Sequence, residues 1–282
     1  MISFLPCRQN FSRAVALITL NGILLACNNN PVVDPVDKQD QRITKVITAH
    51  YFRNKPPQAP GGVEQIITYQ GIPFYLSYRI QVRYTYDQQK RLTQTYGTDF
   101  DYPGDSLSAL GNEIIQYTGN KITYTNQRVF PLTPVTYTLN PDGYISDNRT
   151  YDSDGHLLEQ KESSFLTRRT IQDGNVVNQV TETDFDRAIS TFEYDLLHRS
   201  LPDPLVAQHG KPSRNLVLKT TSVNESLSRM QVLLPNRGVQ VFSYEFDEKG
   251  RVSQQTLYIG DNTFVDQPIH WSKIEVATFE YN

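Results

Sequence analysis

The chain has 282 residues, a formal net charge of -3 and 27 basic against 30 acidic side chains. The charges are interspersed, with no basic run or stripe, which excludes an electrostatic binder of nucleic acid. With 17 tyrosines against two methionines and one tryptophan, the composition favours half-buried pleated sheet over helix bundles.

The first 26 residues differ from the rest. Residues 1–13 carry Arg8 and Arg13 and no acid, an apolar run follows from Ala14 to Ala26, and Cys27 comes next. A basic start, an apolar stretch of about a dozen residues and a small residue at the break predict an export signal. Such a run is shorter than the about 20 apolar residues of a spanning helix. Leu24-Leu25-Ala26-Cys27 resembles the lipobox of bacterial lipoproteins. That resemblance implies cleavage after Ala26 and acylation of Cys27, with the membrane as a partner through the lipid; the alternative is an ordinary secretory signal with an incidental cysteine. With Cys7 cut away and Cys27 acylated, the mature domain has no thiol for disulfides, metal sites or nucleophilic catalysis.

Residues 27–41 are polar, contain Pro31 and Pro35 and predict a flexible tether. Asparagines follow Cys27, and not the acidic cluster associated with surface export in Bacteroidota-like lipoproteins; the lipobox resemblance thus implies the outer membrane, with the periplasmic face favoured and the cell surface the alternative. The remaining residues, 42–282, are long enough for one sizeable core.

Within that domain, short alternating segments are separated by turns. In Tyr78–Tyr86, Tyr78, Ile80, Val82, Tyr84 and Tyr86 share one face and Arg79, Gln81, Arg83 and Thr85 the other, the period of a half-buried strand. Residues 122–125 and 242–246 repeat the pattern. The turns "YDQQKRL" (86–92), "YDSDGHLL" (151–158) and "FDEKGRV" (246–252) share an aromatic, an aspartate and a basic residue before an aliphatic, with "LNPDGYI" (139–145) and "IQDGNVV" (171–177) as looser variants. Aspartate bonds the turn's own amides, and glycine takes the left-handed conformation that closes a bulged hairpin. Asp87–Lys90 lacks the glycine, which predicts a wider turn or strain at Lys90.

These hairpins are similar to YD/Rhs-type repeats, with "YDQQKRLTQT" and "FDEKGRVSQQT" the nearest matches. Lipobox, polar tether and tyrosine-rich hairpins together resemble a family of Bacteroidota lipoproteins whose domain, of unknown function, has a porin-like antiparallel fold. The expected fold is all-β: a large antiparallel meander of hairpins, of about a dozen to sixteen strands, curled into a barrel-like or half-barrel shell. Residues 195–215, with three prolines and two histidines, break the hairpin rhythm. A connection that long predicts a lid or binding loop, with Asp195, His198, Arg199 and His209 as candidate ligand residues and one helical turn near Pro204–Gln208.

No coherent catalytic set stands out. Gly104-Asp105-Ser106-Leu107 matches the letters that head GDSL-type esterases, and Asp195-Leu196-Leu197-His198 matches their Asp-x-x-His. The residues before Gly104 are polar and end in Pro103, unlike the buried strand that aims such a serine, and no block supplies an oxyanion hole. Tyr102–Asn112 reads instead as a loop. Asp99 and Asp101 are an acid pair whose glycosidic use depends on a separation in space. The histidines at 50, 156, 198, 209 and 270 lack metal-ligand spacing. Asp152–Gly155 imitates part of a calcium loop, but Thr150 and Lys161 stand where ligands belong. No cofactor or metal is expected. The predicted role is a non-enzymatic, lipid-anchored envelope protein that binds or scaffolds, with envelope glycan as a ligand class for its tyrosines. An envelope hydrolase using Ser106 or an acid pair with His198 is the alternative.

Overall fold

The computed structural model describes residues 42–54, 65–101, 107–127, 133–205, 207–227, 236–262 and 268–282, with 98–101, 107–111, 236 and 262 as backbone only. The expected signal segment 1–26 and expected tether 27–41, with Ala26 and Cys27, and Ser106 lie outside these residues. The strands are β1 Ile43–Phe52, β2 Ile66–Tyr69, β3 Ile72–Tyr86, β4 Leu92–Asp101, β5 Leu107–Thr118, β6 Lys121–Asn126, β7 Val135–Thr138 and β8 Arg149–Tyr151. They continue as β9 Leu157–Lys161, β10 Leu166–Gln172, β11 Asn175–Glu182, β12 Asp186–Arg199, β13 Asn215–Ser226, β14 Asn236–Phe246, β15 Val252–Asn262 and β16 His270–Tyr281. Residues 107–112, expected as loop, belong to β5, because Phe100 pairs with Leu107 and Asp99 with Ser108.

All strands belong to one antiparallel sheet of order β7-β6-β5-β4-β3-β1-β16-β15-β14-β13-β12-β11-β10-β9-β8, with β2 added to β3. The first and last strands therefore pair with each other in the interior of the sheet. The sheet is not closed into a barrel. Its two edges, β7 and β8, are consecutive in sequence, and the segment between them carries an isolated Leu139–Ile145 bridge and a bond from Ser146 N to Thr138 O of 2.8 Å.

The aspartate turns share one construction. In the turns at Asp87, Asp152 and Asp247, the aspartate N donates to the carbonyl four residues on, at 2.9, 3.0 and 2.8 Å. The aspartate Oδ1 accepts that same residue's amide, from Arg91, His156 and Arg251, at 2.9, 2.8 and 2.9 Å. Asn140 does the same with Tyr144, its N donating at 2.7 Å and its Oδ1 accepting at 2.9 Å. Each turn closes through a residue at positive φ: Gly143, Gly155 and Gly250 at 84°, 93° and 74°, and Lys90 at 65°. The turn without glycine is thus no wider than the others and holds a lysine in the left-handed region. Arg91 and Arg251 then reach back, their guanidinium carbons 4.2 and 4.4 Å from the ring centres of Tyr117 and Tyr281 on the next strands, within cation–π range.

Pairing register sorts the side chains onto two faces. Tyr84 and Tyr86 share the front face with Ile115, Tyr117, Ile122 and Tyr124, through pairings such as Ile115–Tyr124 and Tyr117–Ile122. Farther round the sheet, Arg169, Gln179, Ser190 and Ser222 follow on the same face. On the back face stand Ala49 and Tyr51 with Val276 and Ile274. A bulge flips β3: Tyr51 pairs with Leu76 but His50 with Tyr78, so Leu76 and Tyr78, two residues apart, lie on opposite faces. Among the described residues each face carries one apolar cluster. The back cluster gathers Ala49, Tyr51, Phe74, Leu76, Val239, Trp271 and Ile274 under the tip of the β2–β3 hairpin. In the front cluster Leu92, Ile115, Ile122 and Ile145 pack with five tyrosines and Leu139.

Candidate functional site

The irregular segment is residues 200–214, between Arg199 at the end of β12 and Asn215 at the start of β13, which pair with each other. Asp195, His198 and Arg199 thus stand in β12, and His209 alone of the four candidates lies in the segment. The expected helical turn is a short 3-10 turn at Ala207–His209.

The segment docks on the front face. Gln208 is buried; its Nε2 donates to Tyr117 Oη at 2.7 Å, and its carbonyl accepts Ile145 N at 2.8 Å. Gly210 lies so close to Tyr151 that a Cβ there would sit 2.8 Å from the ring. Lys211 N donates to Gly155 O at 2.8 Å and Arg214 N to Gly174 O at 2.8 Å. Ser213 Oγ accepts Val176 N at 3.2 Å and lies 2.9 Å from Tyr194 Oη. Asn215 anchors the exit through two bonds with Asn175, both 3.0 Å. The segment therefore ties β5 to the β8–β9 and β10–β11 hairpins, bridging the two edges that have no ladder between them.

Beside it stands a cationic group of the front face. The Arg149 side chain is 3% exposed and reaches Glu162 Oε1 at 3.2 Å, donates to Asp147 O at 2.9 Å and lies over Tyr137 of the opposite edge. Its Nε has no hydrogen-bond partner. Arg169 donates to Gln179 Oε1 at 2.8 Å, and among the described residues no carboxylate pairs with it. Burial, then the charges of Arg149 and Arg169, hold His209 below its ordinary pKa, so the imidazole is neutral near pH 7. Arg149 is enclosed and already bonded to Glu162 and Asp147, so this group packs beside the docked segment and offers no exposed Arg149 guanidinium to a ligand. Neither arginine was legible as a site residue, since each acquires its surroundings from strands remote in sequence.

His198 Nδ1 lies 2.6 Å from Asp195 Oδ2, and the ring stacks on Phe246 at 4.4 Å. Burial opposes ionisation of Asp195, but the bonds from His198 and the Leu197 amide prevail and hold its pKa below the usual value. Among the described residues no hydroxyl or thiol hydrogen-bonds to this imidazole. Asp99 and Asp101 lie in β4, with Cα partners Ile80 and Tyr78. Asp152–Gly155 is the β8–β9 hairpin turn, with His156 Nδ1 3.2 Å from Asp152 Oδ2. His270 begins β16. His50 stacks on Tyr78 at 4.4 Å, with Nδ1 3.3 Å from Glu275 Oε1, while Lys273 Nζ approaches the same oxygen at 2.5 Å. The nearby His50 first, against burial and with help from Lys273, holds Glu275 down to about 2, although His50 Nδ1 has no hydrogen-bond partner by geometry. No group of three His, Cys, Asp or Glu among the described residues is placed to hold a metal.

An open antiparallel meander of this size defines a class of large all-β proteins, and the likeness to solved structures narrows it. The chain is similar to a porin-like protein from Bacteroides uniformis ATCC 8492, with TM-score 0.54 and 15% identity over 86% of this chain and 99% of that one. A porin-like protein from Bacteroides vulgatus ATCC 8482 covers the same shares at TM-score 0.29 and 8% identity. The fold is porin-like. No family model matches the sequence, and no curated protein matches it.

Proposed function

We propose that this chain is a lipid-anchored envelope protein, akin to the Bacteroidota lipoproteins it resembles, whose sheet serves as a binding or scaffolding shell without catalytic activity. It stands beside a membrane and does not span one. The observation that carries this reading is the chemistry of the back face. Arg168 pairs there with Glu159 and Glu182, Arg187 with Glu182, Lys219 with Glu193 and Lys45 with Glu280, from β1 round to β9. A cation on the lipid face of a membrane barrel costs about 2–4 kcal/mol at the midplane, so these rows suit water and not hydrocarbon. Attachment then falls to Cys27, with acyl chains contributing about 0.8 kcal/mol per buried methylene. On the front face, an envelope glycan would be met at the exposed residues of the docked 200–214 segment, such as Asp203 and Lys211, and not at Arg149, which is buried.

Metabolic labelling with a fatty-acid analogue tests the anchor. Label is expected in the wild type and none in Cys27→Ser; an unlabelled wild type sinks the lipoprotein reading. For the absence of catalysis, the purified protein is expected to turn over neither aryl esters nor envelope glycan, and turnover abolished by His198→Ala would favour the hydrolase.

A further inference from the structure

Two consecutive leucines project from one end of the sheet. Leu196 and Leu197 are 71% and 83% exposed, in a three-residue bulge of β12 between the pairs Asp195–Leu216 and Arg199–Asn215. The bulge is held in place: Asp195 Oδ1 accepts Leu197 N at 2.9 Å, Oδ2 lies 2.6 Å from His198 Nδ1, and the His198 ring rests on Phe246, itself 37% exposed. A surface already ordered loses little freedom when it binds. Two exposed leucines in a fixed turn, beside an exposed phenylalanine, are therefore an apolar tip and not a frayed loop.

The position of the tip identifies its partner. Phe246 pairs with Val252, whose carbonyl accepts from Tyr281 Oη at 2.7 Å, and Tyr281 pairs with Ile43. Leu196, Leu197 and Phe246 thus lie at the end of the sheet where the chain arrives from residues 1–41. A tether of residues 28–41 spans at most roughly 50 Å fully extended, so a lipid on Cys27 would keep this end near a bilayer at high effective concentration. We propose that this end rests on the lipid bilayer with Leu196 and Leu197 inserted among the acyl chains. Asp247 is paired with Arg251, and Asp195 and Arg199 bracket the bulge, so apolar insertion and not net charge drives the contact. The inference rests on the Cys27 anchor for its reach to the bilayer, but insertion is read independently of acylation. The opposite end supplies a control: Phe185 is 69% exposed in the β11–β12 turn, at the far end of the same strand.

Leu197→Cys and Phe185→Cys, made separately in the full chain, are labelled with an environment-sensitive fluorophore. Each is mixed with phosphatidylethanolamine–phosphatidylglycerol vesicles carrying quenchers on the lipid chains and recovered by flotation. The label at 197 is expected to shift to the blue and to be quenched at least about fivefold more than that at 185, in low and high salt alike. Equal quenching at the two positions, stronger quenching at 185, or failure to float with lipid overturns the inference, the last pointing to a protein partner for the tip. The mass of the N-terminal peptide from the same preparation reports acylation of Cys27. A missing acyl group defeats the anchor whatever the label shows, and an acylated protein with its 197 label in water defeats insertion alone.

Discussion

The two apolar clusters bury similar side chains by different means. The back cluster is closed by the β2–β3 hairpin: Tyr69 stacks on Tyr258 at 3.9 Å and meets Trp271 edge-on at 5.1 Å. Its Trp271 Nε1 donates to Gln70 Oε1, beside the hairpin turn, at 3.0 Å. The front cluster contains Tyr84, Tyr86, Tyr117, Tyr124 and Tyr137. Burial pushes the phenols of Tyr84, Tyr117 and Tyr124 above their ordinary pKa, and each buried hydroxyl needs a partner. Tyr86 Oη donates to Ile43 O at 2.6 Å, whereas Tyr117 takes its bond from Gln208. Apolar packing completes the first cluster; the second is completed only when the 200–214 segment has docked.

The largest test of this contrast is Phe74→Ala. Phe74 is fully buried at the centre of the back cluster, and deleting a buried phenylalanine costs about 3–5 kcal/mol through lost transfer energy and the cavity left. Denaturant unfolding is expected to show that loss, while hydrogen exchange in 200–214, measured well below the midpoint, stays unchanged. A loss under about 1 kcal/mol would show that the hairpin collapses to refill the space.

Next in size is Gln208→Ala. It leaves the Ile145–Gln208 backbone bond and removes the donor to Tyr117 Oη, and an unpartnered buried polar group costs about 1–3 kcal/mol. Faster exchange and proteolysis are expected within 200–214 before global unfolding, with the back cluster still protected. Equal acceleration across both clusters would mean that the segment is an integral part of the core and not a docked strap.

The sequence discloses the front and back of this contrast unequally. Alternation in 78–86 identifies strand and face, and the aspartate turns identify hairpins, because both are local patterns. The bulge that sends Leu76 to the back and Tyr78 to the front is invisible to period-two counting, since a single unpaired residue reverses the pattern. The place of β1 between β3 and β16 also has no local signal. The Gln208–Tyr117 contact spans 91 positions, and alternation says which face a tyrosine occupies but not which residue will cover it. Long length and prolines mark out residues 195–215 as unusual. They did not separate His209, in the docked segment, from Asp195 and His198, which order a bulge of β12.

The smallest effect belongs to Lys90→Gly, at the rim of the front cluster. Lys90 occupies the position that glycine fills in the three sister turns, at φ 65°, and a side chain there costs roughly 1–2 kcal/mol. Glycine relieves that strain but has more freedom to lose on folding, by roughly 0.5–1 kcal/mol. The backbone terms alone leave a net gain of about 0–1.5 kcal/mol in denaturant unfolding, from which the side-chain interaction of Lys90 is to be subtracted; the Asp87–Arg91 bonds are kept. Exchange in 200–214 should not change, since the Arg91–Tyr117 stack and the Gln208 bond are both kept. Destabilisation by Lys90→Gly would mean that the turn is held by lysine contacts, and altered exchange in 200–214 would mean that turn strain reaches the docked segment through Tyr117.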